Sequence, residues 1–487
     1  MSTAVRPIDK TALDRSSGNY ALIDTLRKWG ITFFSGVNGG GLIHVTKHLE
    51  PYLGLQHSGD SVPRMQTMGE YVAGFVPLGY YLASGRVAGC LTTTGAATKL
   101  GSSGITDAKL HNIPAVYVIA LNSTLSIGRS PLQDVSEHGM NIIPQLRAEL
   151  GEACIVIDDI DSLGDRLELA QSILATSKPV AIAFHPDILS KDADVDVPRR
   201  ERPRMLDQID ADRFVNEFPQ ISRGRRVIIY AGAEAARCPG ITELTTALSE
   251  TLQAPTVWSV NGANAISPDN RYGYGYISFG GNDEAMKLWR SINSDDVVIT
   301  LGFDSGEYSL NLGSIPAGHV WHFTAWTSPY GHQDGDFRHR VDGDYRVVRG
   351  DIEQTLDYVL PKLRGAITDG RPSTCRRTST RAPSRARCAM AAWTLSRSTR
   401  SCIAHGGRTA SASTMSAPRT RTASTWPSVR IRRFLSIRCT TAQRWAGRSG
   451  SEWGPAQRTR ACIPSCSRET GAGAYTVGRL RRRRTSG

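Results

Sequence analysis

Between Gln66 and Asn122 the chain runs helix, buried strand, hydroxyl-rich loop, helix, buried strand almost without interruption. Of the two strand segments, VAGCLTTT (87–94) ends in hydroxyls, whereas IPAVYVIAL (113–121) is continuously apolar and does not alternate. That pattern belongs to parallel strands covered on both faces by helices, so the fold class is α/β. Glu70 heads a helix of small and apolar residues: Val72, Ala73, Gly74, Phe75, Val76, Leu78, then Gly79 and Tyr80. Such a helix packs closely, which puts the carboxylate at its head in a crevice. The strand at 87–94 runs out into threonines and Gly95, the edge where an open α/β sheet presents ligand-binding loops. Taken alone, a glutamate at a helix start needs no explanation beyond the helix dipole.

The order of residues says more. An acid is followed nine and ten positions later by Gly79-Tyr80, then by SGR, a strand, a TTG loop, GITDA and IPAVYVIA. This string resembles the pyrimidine-binding domain of thiamine diphosphate enzymes, nearest to the acetolactate synthase and 2-oxoacid decarboxylase group. The resemblance makes Glu70 the acid that exchanges a proton with the aminopyrimidine ring, so that the ring's imino group can deprotonate the thiazolium. Thr94 and Gly95 become cofactor contacts. Three departures bear on substrate identity and leave the fold unaffected: Gly69 where many relatives carry His, Ala96-Ala97 where Pro-Gly is commoner, and Leu100 where Asn is usual.

The turn SGVNGGGLIHV (35–45) brings backbone close to whatever lies above it and exposes amides ahead of a helix. On residues alone it is ordinary strand-to-helix geometry. The family has FGVPGG here, against the pyrimidine, which makes Gly36, Val37, Asn38 and Gly39 cofactor-binding candidates, with Asn38 replacing the proline. The loop SIGRSPLQDVSEHG (126–139) resembles the family's loop carrying a Gln and an acid, and places Gln133 near the thiazolium. The plain alternative is that Gln133 and Asp134 cap a helix starting at Val135. His185, in HPD, is expected to end the domain structurally and not to act in catalysis.

The expected organisation is a pyrimidine-binding domain over 1–189, a polar linker over 190–210, and a Rossmann-like central domain over 211–365. The three-layer central domain rests on RRVIIYAGAEA, DDVVITLGFDS, HVWHFTA and YRVVRGDIEQTLDYVL. In the acetolactate synthase branch that domain binds a flavin. YAGAEA has no G-x-G-x-x-G, and Gly302 and Ser305 stand where a flavin-binding branch reads RFDDR, so FAD is not expected.

Charge exposes a break. The whole chain carries +13, but residues 371–487 hold 25 Arg, no Lys, no Asp and two Glu, a net of +23 that leaves −10 for residues 1–370. The family's third domain should grip the diphosphate through Mg²⁺, using a GDG-to-Asn motif whose oxygens suit that hard cation. No such motif is in frame. Residues 366–487 read as a largely disordered, Arg-rich tail with no helical or strand period. Reading each third base with the next two allows LYDGSAMG across Arg438–Gly447 and a Gly-Asp-Gly across Pro464–Ala472, so the tail is taken as an out-of-frame remnant. The competing reading is a basic arm on nucleic acid.

These readings predict a thiamine diphosphate-dependent decarboxylase or carboligase acting on a small 2-oxoacid, impaired by loss of its diphosphate half. Alternatives are a non-catalytic remnant or a basic-tailed nucleic-acid binder, with nucleic acid not the expected partner. The family implies a homodimer or homotetramer. The chain opens with no apolar leader and contains no run of about 20 apolar residues, so a cytoplasmic location without membrane contact is expected.

Overall fold

The computed structural model describes residues 14–52, 62–200, 205–333 and 335–366. The expected disordered tail, its out-of-frame reading and the missing magnesium motif lie outside the described residues.

The first sheet has seven strands: β1 (Phe33–Gly36), β2 (Glu50–Pro51), β3 (Arg64–Thr67), β4 (Gly89–Thr92), β5 (Val116–Ala120), β6 (Cys154–Ile157) and β7 (Val180–Phe184). Their order is β2-β3-β1-β4-β5-β7-β6, and every pairing is parallel. The apolar runs explain why. In β5, Val116, Val118 and Ala120 enter one core with Leu22, Leu26 and Phe184, while Tyr117 and Ile119 enter the opposite core with Ile105, Ile142 and Leu146. A strand buried on both faces has no polar side to alternate with. From β1 the chain moves to β2 on one side, and from β4 it moves to β5 on the other. The strand order therefore reverses between β1 and β4, the position where open α/β sheets hold ligands.

The second sheet has six strands: β8 (Val227–Ala231), β9 (Thr256–Trp258), β10 (Gly273–Tyr276), β11 (Val297–Leu301), β12 (His319–Thr324) and β13 (Asp344–Arg349). They pair in parallel in the order β10-β9-β8-β11-β12-β13, the Rossmann arrangement. Both faces are again covered. Ile229, Ile299 and Trp321 lie in one core, and Ile228, Val298 and Val320 in the other. Two successive parallel α/β domains are thus present. β10, with the sequence GYGY, was not anticipated: glycine-rich and at the edge, it carries no apolar run.

The segment anticipated as a linker is tied down over its first half. Val197 is buried, the Trp29 indole donates to Val197 O at 3.0 Å, and Gln171 Nε2 donates to Pro198 O at 3.1 Å. The two sheets meet at Asn112. Arg237 of the second domain donates to Asn112 O at 2.8 Å and to His111 O at 2.7 Å, and Tyr330 N donates to Asn112 Oδ1 at 2.9 Å. No helix among the described residues is long and apolar enough to cross a membrane.

Candidate active site

The helix Glu70–Ser84 is held by an unusual set of contacts. Pro77 lies inside it and has no N–H to give to Ala73 O. Ser35 on β1 supplies the missing donor, its hydroxyl reaching Ala73 O at 2.9 Å in a buried site. One residue on, the buried Tyr117 hydroxyl donates to Gly74 O at 2.9 Å. The same helix crosses the helix Ala96–Leu110 backbone to backbone: a Cβ at Gly104 would lie 1.9 Å from Gly74 O, and one at Gly74 would lie 2.4 Å from Gly101 O. Glu70 is the first residue of this fixed helix. Two residues earlier, Met68 N donates to Gly36 O at 3.0 Å, which ties the helix entry to the glycine turn after β1.

The Glu70 carboxylate is half-buried and has no hydrogen-bond or ion-pair partner among the described residues. It lies close enough to Cys90 on β4 to act on the thiol. Burial pushes Cys90 up to about 12, the Ser35 hydroxyl opposes this, and the Glu70 charge adds to the rise.

The structure brings the other anticipated residues to the carboxyl ends of β1 and β4. Gly36 packs so tightly that a Cβ would meet Leu91 O at 2.2 Å, and a Cβ on Gly39 would meet Thr93 Oγ1 at 2.7 Å. Val37 is half-buried between them, and Asn38 is exposed, its side-chain oxygen accepting from Thr46 Oγ1 at 3.0 Å. Thr94 is half-buried at the end of β4. Gly95 has φ +68, and a Cβ there would lie 2.7 Å from the Gln133 Cβ. Gln133 is half-buried, takes φ +56, and its amide has no hydrogen-bond partner among the described residues.

The loop holding Gln133 is not a helix cap. Asp134 Oδ1 accepts from Ser136 N at 2.9 Å, and the helix begins only at Ile142, running to Leu150. The loop is clamped by Asn122, whose side-chain oxygen accepts from Val135 N at 2.9 Å and whose amide donates to Leu132 O at 3.3 Å. His185 Nδ1 donates in turn to Asn122 O at 2.6 Å, and Asp187 accepts from Thr124 N at 2.9 Å. The HPD sequence is therefore the brace behind this loop. Asn122, Ser35 and Tyr117 were not singled out from the sequence. Pro77, a proline inside an apolar helix, was the available signal for Ser35.

In the second sheet the order reverses between β8 and β11, and that crevice is filled by protein. A Cβ on Gly232 would lie 2.1 Å from Gly302 O. Beside it the buried Glu234 carboxylate accepts from Thr324 Oγ1 at 2.6 Å and from Ala325 N at 2.7 Å, and burial raises its pKa to about 7.

A doubly wound sheet with an acid and glycine loops at its switch point, followed by a Rossmann-type sheet, is an arrangement found in α/β proteins that bind ligands at the carboxyl ends of their strands. Residues 17–140 match the family described as thiamine pyrophosphate enzyme, N-terminal TPP binding domain, and residues 218–320 match thiamine pyrophosphate enzyme, central domain. Two stretches of the chain are thus similar to two successive domains of thiamine pyrophosphate enzymes. It is 25% identical over 384 residues to a probable 2-ketoarginine decarboxylase of Pseudomonas aeruginosa, covering 75% of this chain and 61% of that protein. It is 20% identical over 358 residues to the acetolactate synthase isozyme 1 large subunit of Escherichia coli, covering 71% and 58%. With an acetolactate synthase of Mycobacterium bovis it shares 24% identity over 296 residues, 60% and 45% of the two chains. The chain spans about three fifths or less of the length of these relatives.

Proposed function

We propose that residues 14–189 form the pyrimidine half of a thiamine diphosphate site acting on a 2-oxoacid, by decarboxylation or carboligation. The observation that carries this reading is the Glu70 carboxylate, without a partner among the described residues and set beside the β1–β4 switch point by a helix that cannot shift without losing the Ser35 and Tyr117 bonds. A relative named for decarboxylating 2-ketoarginine and others named for making acetolactate support that substrate class. When bound, the cofactor supplies the electron sink for losing CO₂ from a 2-oxoacid. Glu70 holds and moves one proton at its carboxyl oxygen. The closely packed turn Gly36–Gly39 would form one wall for a flat ring, and the Gln133 amide would offer a donor and an acceptor at the other.

The residues fit the ring half of the cofactor. Among the described residues no group of three His, Cys, Asp or Glu could hold a metal, and the tail has no in-frame GDG-to-Asn motif. We therefore assign the Mg²⁺ and diphosphate contacts to the third domain of the parent enzyme, with residues 366–487 its out-of-frame remnant and cofactor binding by this chain weak. The buried Glu234 carboxylate, held by Thr324 and Ala325 beside the β8–β11 crevice, supports the reading that this domain does not take FAD. Exposed apolar side chains of the first domain, Leu132 beside Gln133 (89% exposed) with Leu125, Ile127 and Tyr71, support a second copy of the chain as partner. A cytoplasmic homodimer or homotetramer follows from this reading.

Calorimetric titration of the purified chain with thiamine diphosphate, with and without Mg²⁺, tests it. Weak binding insensitive to Mg²⁺ is expected, and micromolar Mg²⁺-dependent binding would refute the impairment. Resequencing the gene across codons 360–375 tests the frame directly.

A further inference from the structure

A cavity of about 430 Å³ opens at the free edge of the second sheet, between the helix Gln208–Ile221, strand β13 and the turn at 336–338. Its walls carry Arg213, Arg338, Arg346 and Arg349 against Glu217 and Asp336. Two of the arginines are spent on the fold. Arg213 Nη2 donates to Asp210 Oδ1 and to Val347 O, both at 2.7 Å, so it caps an edge carbonyl of β13. Arg346 pairs with Asp344 at 2.6 Å and with Glu217, and lies over the Trp321 ring at 5.2 Å.

The other two are less fully engaged. Arg338 comes no nearer than 3.6 Å to Asp336 Oδ2, and its guanidinium stands 5.6 Å above the Tyr345 ring. The Arg349 guanidinium makes no ion pair among the described residues, although its backbone N–H is held by Asp210 Oδ2 at 2.9 Å. Both side chains line the same cavity beside Tyr345. Burial pushes the Tyr345 phenol up, and Arg338 and Arg349 both pull against that rise. Four arginines against two carboxylates leave the lining with a net positive charge that a bound anion would offset. A guanidinium fork matches a tetrahedral oxyanion through paired hydrogen bonds. The volume lies within the roughly 300–1,000 Å³ of small-molecule sites.

We propose that Arg338 and Arg349 bind the phosphate group of a small phosphate monoester in this cavity, remote from the β1–β4 crevice. Nothing in this reading depends on the catalytic assignment.

The experiment uses the full chain and a local readout, because the 25 arginines beyond residue 370 also attract phosphate. Hydrogen–deuterium exchange of peptides covering 336–349 is followed while glycerol 3-phosphate or inorganic phosphate is titrated against chloride at equal ionic strength. Saturable protection is expected with the monoester, at least tenfold weaker in Arg338→Gln and in Arg349→Gln. It should persist in Arg271→Gln, an arginine elsewhere on the domain, 3.9 Å from Glu250. Arg349→Lys guards against misfolding of the Gln variants: it keeps the charge, removes the fork, and should bind at intermediate strength. Protection equal in chloride, or unchanged in both Gln variants, would mean charge screening only and overturn the site. Protection by inorganic phosphate with exclusion of the monoester would overturn the monoester assignment.

Discussion

The Ser35 hydroxyl stands 2.9 Å from Ala73 O, the carbonyl that Pro77 leaves without a helical donor. A side chain on a neighbouring strand thus repairs the helix that carries Glu70. The repair allows a proline within two turns of the candidate acid at no cost in unsatisfied backbone.

Ser35→Ala is expected to destabilise the first domain by about 1–3 kcal/mol, the cost of leaving a buried carbonyl unpaired. In a Pro77→Ala background the helix regains its own N–H, so the same substitution should cost much less. A double-mutant cycle by urea denaturation checks this, and additive effects would contradict it.

Gly104→Ala places a methyl 1.9 Å from Gly74 O, a backbone atom that cannot swing away. The two helices must separate. A loss of about 1–3 kcal/mol or more is expected. Gly85→Ala, at the far end of the Glu70 helix, meets nothing within 4 Å but takes φ +71, so its cost is backbone strain alone. Thermal melts of the two variants separate crowding from strain: near-UV circular dichroism should change only for Gly104→Ala.

Asn122→Ala removes both clamps on the Gln133 loop, at Val135 N and Leu132 O. Exchange of amides 132–141 should accelerate at least tenfold while β5 stays protected. Uniform acceleration across the first sheet would show that Asn122 supports the domain as a whole and not this loop.

Two buried groups give the second domain opposing pH dependences. Burial raises Glu234 from 4.5 to about 7, so between those values the folded state keeps a proton the unfolded state has lost, and stability falls as pH rises. Burial lowers His322 from 6.5 to about 3, so below 6.5 the unfolded state gains a proton the folded state refuses, and stability falls as pH drops. The slopes oppose each other between 4.5 and 6.5. Glu234→Gln keeps an acceptor for Thr324 and Ala325, and should raise stability at pH 8 by up to about 3 kcal/mol while exposing the acid-side loss due to His322. Parallel wild-type and variant profiles of melting temperature against pH would contradict this.

The legible parts of the molecule were those where burial writes itself into the residues. β5 and β8 are unbroken apolar runs, and β11 is broken only by the buried Thr300, because both their faces are covered, and Gly36, Gly39 and Gly95 were readable because close backbone approach demands glycine. What stayed hidden depends on partners distant in sequence. Val197 looks like linker until the Trp29 indole is found bonded to its carbonyl, and Glu234 looks like a turn residue until Thr324 and Ala325 close over it. The helix near Gln133 was placed seven residues early, because Asp134 turns the chain onto Ser136 N and Asn141 then takes a left-handed conformation before the helix starts at Ile142.

The central claim is that Glu70 serves the pyrimidine half of a thiamine site, and saturation-transfer NMR on thiamine itself tests it most directly. An isolated ring half is expected to bind at about the millimolar level, within that method's range. Transfer is expected from the wild-type chain to the pyrimidine methyl and ring protons, independent of Mg²⁺ and lost in Glu70→Gln. Equal transfer in wild type and variant, or none to the pyrimidine protons in either, would contradict it.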